Sequence, residues 1–127
     1  MLKTLSVEAN YTWLHRDLVD PGNAAFRPTD VPTHKAFVYA DWTALPRLHL
    51  IPSADVASSR WTVTSTAPIT YYRTGAYVNT ALKAEYELRK GISVSVSARN
   101  LFDTNYSLVD GFPEAGRSYQ LAIKAAY

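Results

Sequence analysis

The last residues, GRSYQLAIKAAY, alternate in polarity with a period of two. Odd positions carry Tyr119, Leu121, Ile123, Ala125 and Tyr127, while even positions carry Ser118, Gln120 and Lys124 among alanines. Successive side chains of an extended strand point to opposite faces, so this segment predicts a β-strand with one greasy and one polar side. The same period recurs along the chain, and helical periodicity is nearly absent. In a soluble protein the greasy side covers a core. In an outer-membrane barrel it faces lipid, and the polar side lines the lumen. The rest of the sequence has to separate these two solutions.

The alternation predicts about six strands. The first covers about residues 4–16, with Leu5, Val7, Ala9, Tyr11 and Trp13 on one face and Ser6, Glu8, Asn10 and Thr12 on the other. The second, about 34–43, sets Ala36, Val38, Ala40 and Trp42 against Lys35, Phe37, Tyr39 and Asp41. The third, about 47–59, sets Leu48, Leu50, Ala54 and Val56 against His49, Ser53 and Asp55. Pro52 inside it lacks an N–H and predicts a bulge or a weak pairing. The fourth, about 75–89, sets Val78, Leu82, Ala84, Tyr86 and Leu88 against Asn79, Lys83, Glu85 and Glu87. The fifth is ISVSVSAR, with Ile92, Val94, Val96 and Ala98 opposite Ser93, Ser95, Ser97 and Arg99. The sixth is the C-terminal strand.

Connections alternate between short and long. The segments at 44–46 and 90–91 are tight turns, whereas about 17–33, 60–74 and 100–117 are long. Most loops in compact domains run to about 4–6 residues, so long ones on alternate connections need a reason. An up-and-down membrane barrel supplies it, with short periplasmic turns and long extracellular loops. On this reading both chain ends lie on the periplasmic side.

The faces agree. No apolar face carries a charge; Glu8, Lys35, Asp41, Asp55, Lys83, Glu85, Glu87, Arg99 and Lys124 all share the polar faces. A Lys or Arg on the lipid face at mid-bilayer costs about 2–4 kcal/mol, which explains such a bias. The chain is rich in aromatics, with nine Tyr and three Trp against one Met. Tyr11, Trp13 and Tyr119 fall toward the long-loop end, and Trp42, Tyr86 and Tyr127 toward the short-turn end, as two membrane girdles would. The alternative is that these rings fill a sandwich core.

Composition narrows the field further. The absence of Cys removes a disulfide framework and thiolate metal sites. The formal net charge of +2 comes from scattered residues, which argues against a nucleic-acid partner. No stretch approaches the roughly 20 apolar residues of a membrane helix, but barrel strands escape that test. The segment MLKTLSVEANYTW is interrupted by Glu8 and Asn10 and does not read as a signal peptide.

The segment ARNLFDTNYSLVDGFPEAGRSYQLAIKAAY closely resembles the C-terminus of TonB-dependent outer-membrane receptors. The matching positions are Asn100, Leu101, Phe102, Asp103, Tyr106, Pro113, Gly116, Arg117 and Tyr127, and the resemblance in motifs covers roughly residues 77–127. Asn and Asp suit a strand leaving the sheet, because they tolerate turn conformations and bond to nearby backbone. Gly116 is expected to supply conformational freedom before the last strand.

The resemblance implies an all-β fold of antiparallel up-and-down strands, part of a transmembrane barrel of roughly 22 strands. Residues 1–127 then read as the C-terminal portion of the barrel, without plug domain or signal peptide. It implies a function in uptake of a scarce nutrient, such as an iron chelate or cobalamin, at the outer membrane of a Gram-negative bacterium. Implied partners are outer-membrane lipid, the barrel assembly machinery, and the remaining barrel and plug of a full-length parent. Tyr127 would be the assembly signal, in a position where the family more often has Phe. The isolated chain is expected to self-associate.

A search for chemistry gives little. His15 and His34 flank the first long loop, and Asp17 is the nearest third ligand, but two solvated rim histidines explain them better than a metal site. No Ser lies in a G-x-S-x-G context, and Glu85 and Glu87 read as lumen wall. No catalytic residue, metal site or cofactor is predicted, and the chain does not read as an enzyme. The sequons at Asn10 and Asn105 carry no meaning in a bacterial barrel. Ligand contacts are expected from the loop aromatics Trp61, Tyr71, Tyr72 and Phe112. The alternative function is a small soluble or oligomeric β-barrel binding module; a small outer-membrane enzyme is disfavoured.

Overall fold

The structure is a computed structural model that describes residues 4–126. Among these described residues ten strands follow one another: β1 (Leu5–Trp13), β2 (His34–Leu45), β3 (Leu48–Ala57), β4 (Arg60–Val63), β5 (Tyr71–Thr74), β6 (Tyr77–Arg89), β7 (Ile92–Arg99), β8 (Ser107–Val109), β9 (Phe112–Pro113) and β10 (Ser118–Ala125). The six long strands form one antiparallel sheet in the order β1-β2-β3-β6-β7-β10. Each long strand lies beside the next in sequence, so the sheet is an up-and-down meander with β1 and β10 as its edges. The two short pairs, β4–β5 and β8–β9, are separate hairpins within the second and third long connections. Both escape a sequence reading because each strand is too short to establish a period.

Register carries the alternation across the whole sheet. One row of paired residues runs Leu5, Trp42, Leu50, Ala84, Val96, Leu121. A parallel row runs Glu8, Tyr39, Ser53, Ala81, Arg99, Ser118 and belongs to the opposite face. A slip of one residue in any strand would exchange its faces, so this agreement over six strands is a strong constraint. Pro52 shows the expected weakness on one side only. The β2–β3 ladder passes from Tyr39↔Ser53 to Trp42↔Leu50 without pairing Pro52, while Pro52↔Leu82 continues the β3–β6 ladder. The irregularity in β2–β3 lies elsewhere, between Thr43 and Leu45.

The greasy face has no cover. Among the described residues only Ala57 and Tyr77 are buried hydrophobics. Even in the inner strands Trp42 is 38% and Val96 54% exposed, and Leu121 on the edge is 69% exposed. A soluble sandwich would pack this face on a second layer about 10 Å away. Among the described residues nothing of the kind covers it, and the apolar surface exceeds what a soluble monomer normally exposes.

The short turns sit together at the opposite end from the long connections. Gly91 in the β6–β7 turn has φ of 83°, a left-handed conformation open to glycine. A side chain there would also strike the Ala126 carbonyl, with Cβ 2.6 Å from its oxygen. Ala126 in turn donates its N–H to the Gly91 oxygen at 2.7 Å, which ties the end of β10 to this turn. Tyr127 lies outside the described residues.

Candidate functional site: the long-loop end

The long connections rest on a small polar nucleus at the sheet's end. Tyr77 opens β6 and stacks on Tyr106 with ring centroids 4.3 Å apart. The Tyr77 hydroxyl donates to Asp55 Oδ2 at 3.1 Å, and Asn79 Nδ2 donates to the Tyr106 hydroxyl at 3.0 Å. The Arg60 guanidinium lies 6.0 Å from the Tyr77 ring centre and donates to the Ser107 carbonyl at 2.6 Å. Arg60 and Tyr77 are 4% and 7% exposed, so the centre of this nucleus is polar yet buried. Hydrogen bonding is what makes such burial tolerable.

The C-terminal motif has a direct structural role here. Asn100 is buried, with φ of 50°, and its amide closes the turn after β7. Its Oδ1 accepts the Thr104 N–H at 2.8 Å, and its Nδ2 donates to the Thr104 and Ala115 carbonyls at 2.9 and 3.2 Å. Leu101 donates its N–H to the Thr80 carbonyl, and Phe102 projects outward, 74% exposed. Asp103, with φ of 56°, accepts the Arg117 N–H on Oδ1 at 2.8 Å. Pro113 pairs with Ser107 in the β8–β9 hairpin. The expectation for Gly116 needs correction. It has no left-handed φ; the requirement is space, since a Cβ there would stand 2.8 Å from Asp103 Oδ1.

The four loop aromatics do not converge. Trp61 on β4 lines a cleft of about 440 Å³ between the 14–33 connection and the β4–β5 hairpin. Tyr71 shares a neighbouring depression of about 420 Å³ with Trp61 and packs edge-on against Phe26, centroids 6.1 Å apart. Tyr72 instead donates its hydroxyl to Asp110 Oδ1. Phe112 on β9 is 69% exposed and lines neither cavity.

Asp110 is the anchor between the two hairpins. Its Oδ2 also accepts the Ser65 N–H and hydroxyl, at 2.9 and 3.0 Å. The Tyr72 hydroxyl, then the Ser65 N–H and the Ser65 hydroxyl, hold the Asp110 carboxyl below the usual carboxylate range. The same bond to Asp110 pushes the Tyr72 phenol up.

The sequence reading missed the arginines. Arg16, Arg27, Arg60 and Arg73 line the 440 Å³ cleft together with His15, Asp17 and Asp20. Arg27 and Arg73 both lie over the Trp61 ring, each 5.8 Å from its centre. These residues come from separate segments, and no local spacing announces their meeting. His34 is engaged elsewhere, its Nδ1 2.6 Å from the Tyr11 hydroxyl. Among the described residues no cluster of three metal-ligating side chains occurs.

No family model matches the sequence, and no curated protein does. Solved structures do match in fold. The siderophore receptor PiuA from Acinetobacter baumannii superposes with a TM-score of 0.77 at 20% identity, over 97% of this chain and 20% of that one. The ferric-catecholate import receptor Fiu from K12 E. coli gives 0.76 at 20% identity, over 95% and 18%. P. aeruginosa FpvA, in a structure with a heterologous pyoverdine and iron, gives 0.76 at 23% identity, over 95% and 17%. The chain thus has the fold of one section of these receptors, and it spans about a fifth of each of these chains or less.

Proposed function

We propose that the chain is the C-terminal portion of a TonB-dependent outer-membrane receptor, and that the parent imports a scarce nutrient such as an iron chelate or cobalamin. The observation that carries this reading is the uncharged greasy face, continuous through six strands and uncovered by any second layer. Such a face fits lipid. The opposite face, with Glu8, Tyr39, Ser53 and Arg99 in one row, fits a polar lumen that a plug domain occupies. Siderophore and ferric-catecholate receptors among the structural neighbours favour a transport role over an enzymatic one.

On this reading Tyr11, Trp13 and Tyr119 form the outer girdle, and Trp42 and Tyr86 the periplasmic one. Trp61, Tyr71, Tyr72 and Phe112 stand on extracellular loops, with Trp61 the residue best placed for ligand contact. Tyr127 is the signal read by the barrel assembly machinery, and the edges β1 and β10 join the remaining barrel strands. Two measurements test the proposal. The reading frame upstream of Met1 should encode further strands and a plug. Cells carrying the whole receptor should take up ferric chelate only with TonB present; uptake indifferent to both receptor and TonB overturns the transport role.

A further inference from the structure

The cleft between the 14–33 connection and the β4–β5 hairpin concentrates positive charge in an unusual way. Arg16, Arg27, Arg60 and Arg73 line it, against Asp17 and Asp20, although the Arg60 guanidinium itself turns to the Tyr77 ring and the Ser107 carbonyl. The ion pairs among the described residues are Lys35–Asp55, His49–Asp41 and Lys83–Glu85, and none includes a cleft arginine. Neutral acceptors hold three of these arginines instead. Arg27 donates to the Phe26 carbonyl at 2.7 Å, Arg73 to the Ser59 hydroxyl at 2.9 Å, and Arg60 to the Ser107 carbonyl at 2.6 Å. Asp20 turns its Oδ1 to the Gly22 N–H at 2.8 Å, within its own turn.

One feature shows that the charge is built in. Arg27 and Arg73 lie over one Trp61 ring, whose π face draws two like charges from different loop segments to one place. Guanidinium groups match oxyanions through paired N–H donors. The cleft volume of about 440 Å³ falls within the 300–1,000 Å³ or so typical of small-molecule sites.

We propose that this cleft binds a small soluble polyanion carrying several carboxylate or phosphate oxygens. The inference rests on the receptor reading, and its binding measurement is kept separate from the measurement of transport. The polyanion bridges the 14–33 connection and the β4–β5 hairpin, its charge held by Arg16 from one side and Arg73 from the other.

The test uses the complete barrel that carries this chain, purified in a neutral detergent at low salt, with citrate and pyrophosphate as separate calorimetric probes. At least one should bind, and the preferred probe distinguishes a carboxylate from a phosphate site. Arg16→Gln and Arg73→Gln, both at exposed residues, should each weaken that binding about tenfold, the scale of losing one charge-assisted contact. Arg47→Gln, near the short turn, should leave it unchanged. Raising the salt should weaken it further, because exposed charges are screened. Binding of neither probe, or equal affinity in wild type and both cleft variants, overturns the proposal. Transport is read separately from ferric-chelate uptake by cells: uptake without polyanion binding rejects the cleft alone, and polyanion binding without uptake supports the cleft and rejects the transport role.

Discussion

Asp103 and Gly116 are in mutual contact through space that only a hydrogen atom can fill: a Cβ at 116 would lie 2.8 Å from Asp103 Oδ1. That same oxygen accepts the N–H of Arg117 at 2.8 Å, one residue before β10 begins. The carboxylate thus fixes where the last strand starts, and the missing side chain at 116 lets it approach. Gly116→Ala should force Asp103 aside and break its bond to Arg117, destabilising the barrel by about 1 kcal/mol, the scale of one hydrogen bond. Urea unfolding of the refolded barrel measures it. A midpoint equal to wild type would show that Asp103 relaxes without cost.

Much of this arrangement could be read before any coordinates, and the limits are physical. The six long strands were legible because alternation over eight or more residues leaves one register that keeps Lys83, Glu85 and Arg99 off the greasy face. β7 was placed to the residue, since Gly91 and Asn100 bracket it. The β4–β5 and β8–β9 hairpins were not legible, because Arg60–Val63 and Phe112–Pro113 are too short to define a period. Asn100 and Asp103 were recognised as turn residues, and both do take positive φ. The arginine cleft was invisible for another reason: Arg16, Arg27, Arg60 and Arg73 meet only through the packing of separate loops.

The Tyr72–Asp110 contact should make the joint between the two hairpins pH-dependent. The Asp110 pKa is depressed, so its contribution is present above the ordinary carboxylate range and is lost as pH falls through the depressed value. The Tyr72 pKa is raised above 10.0, so its contribution is present below that value and is lost as pH rises through the raised one. The joint should therefore hold across the whole neutral range and open at both extremes. The amide resonance of Ser65, bonded to Asp110, reports it. Tyr72→Phe should abolish the alkaline transition and move the acid one upward in pH, because the phenol is the main cause of the depressed carboxyl. An acid transition in wild type at an ordinary carboxylate pH would contradict the contact.

Leu121 and Ser95 test the two faces directly. Leu121 pairs with Val96 in the greasy row, and Ser95 pairs with Ala122 on the other side. Leu121→Lys in the complete barrel should lower stability in bilayers by about 2–4 kcal/mol. Ser95→Lys, which adds the same charge to a polar wall holding Glu85 opposite, should cost much less. Reversible folding into lipid vesicles, followed by denaturant titration, compares them. Equal losses would mean that the greasy row does not meet lipid.

Taken out of its barrel, the chain should not remain single. β1 and β10 are the outer strands of the sheet, and each offers unpaired N–H and C=O groups along one side. Both are exposed along their whole length. Neither contains Pro, so no backbone donor is missing where a further strand would add. The greasy face strengthens the tendency, since Tyr11, Tyr119 and Ile123 are 64%, 70% and 73% exposed, a band of the kind soluble monomers avoid. Detergent can cover that band, but it cannot satisfy the backbone groups of the edges. The 127-residue chain is therefore expected to aggregate in detergent-free buffer and to form assemblies larger than a monomer in micelles, through strand addition at β1 and β10. Size exclusion coupled to light scattering gives the mass in both solvents. Placing Pro at Val7 and at Leu121 should reduce the assemblies in micelles by blunting each edge, while leaving aggregation in water, where the greasy face still drives it. A clean monomer mass of 14.1 kDa without detergent would overturn both the edge argument and the lipid-facing assignment on which it stands.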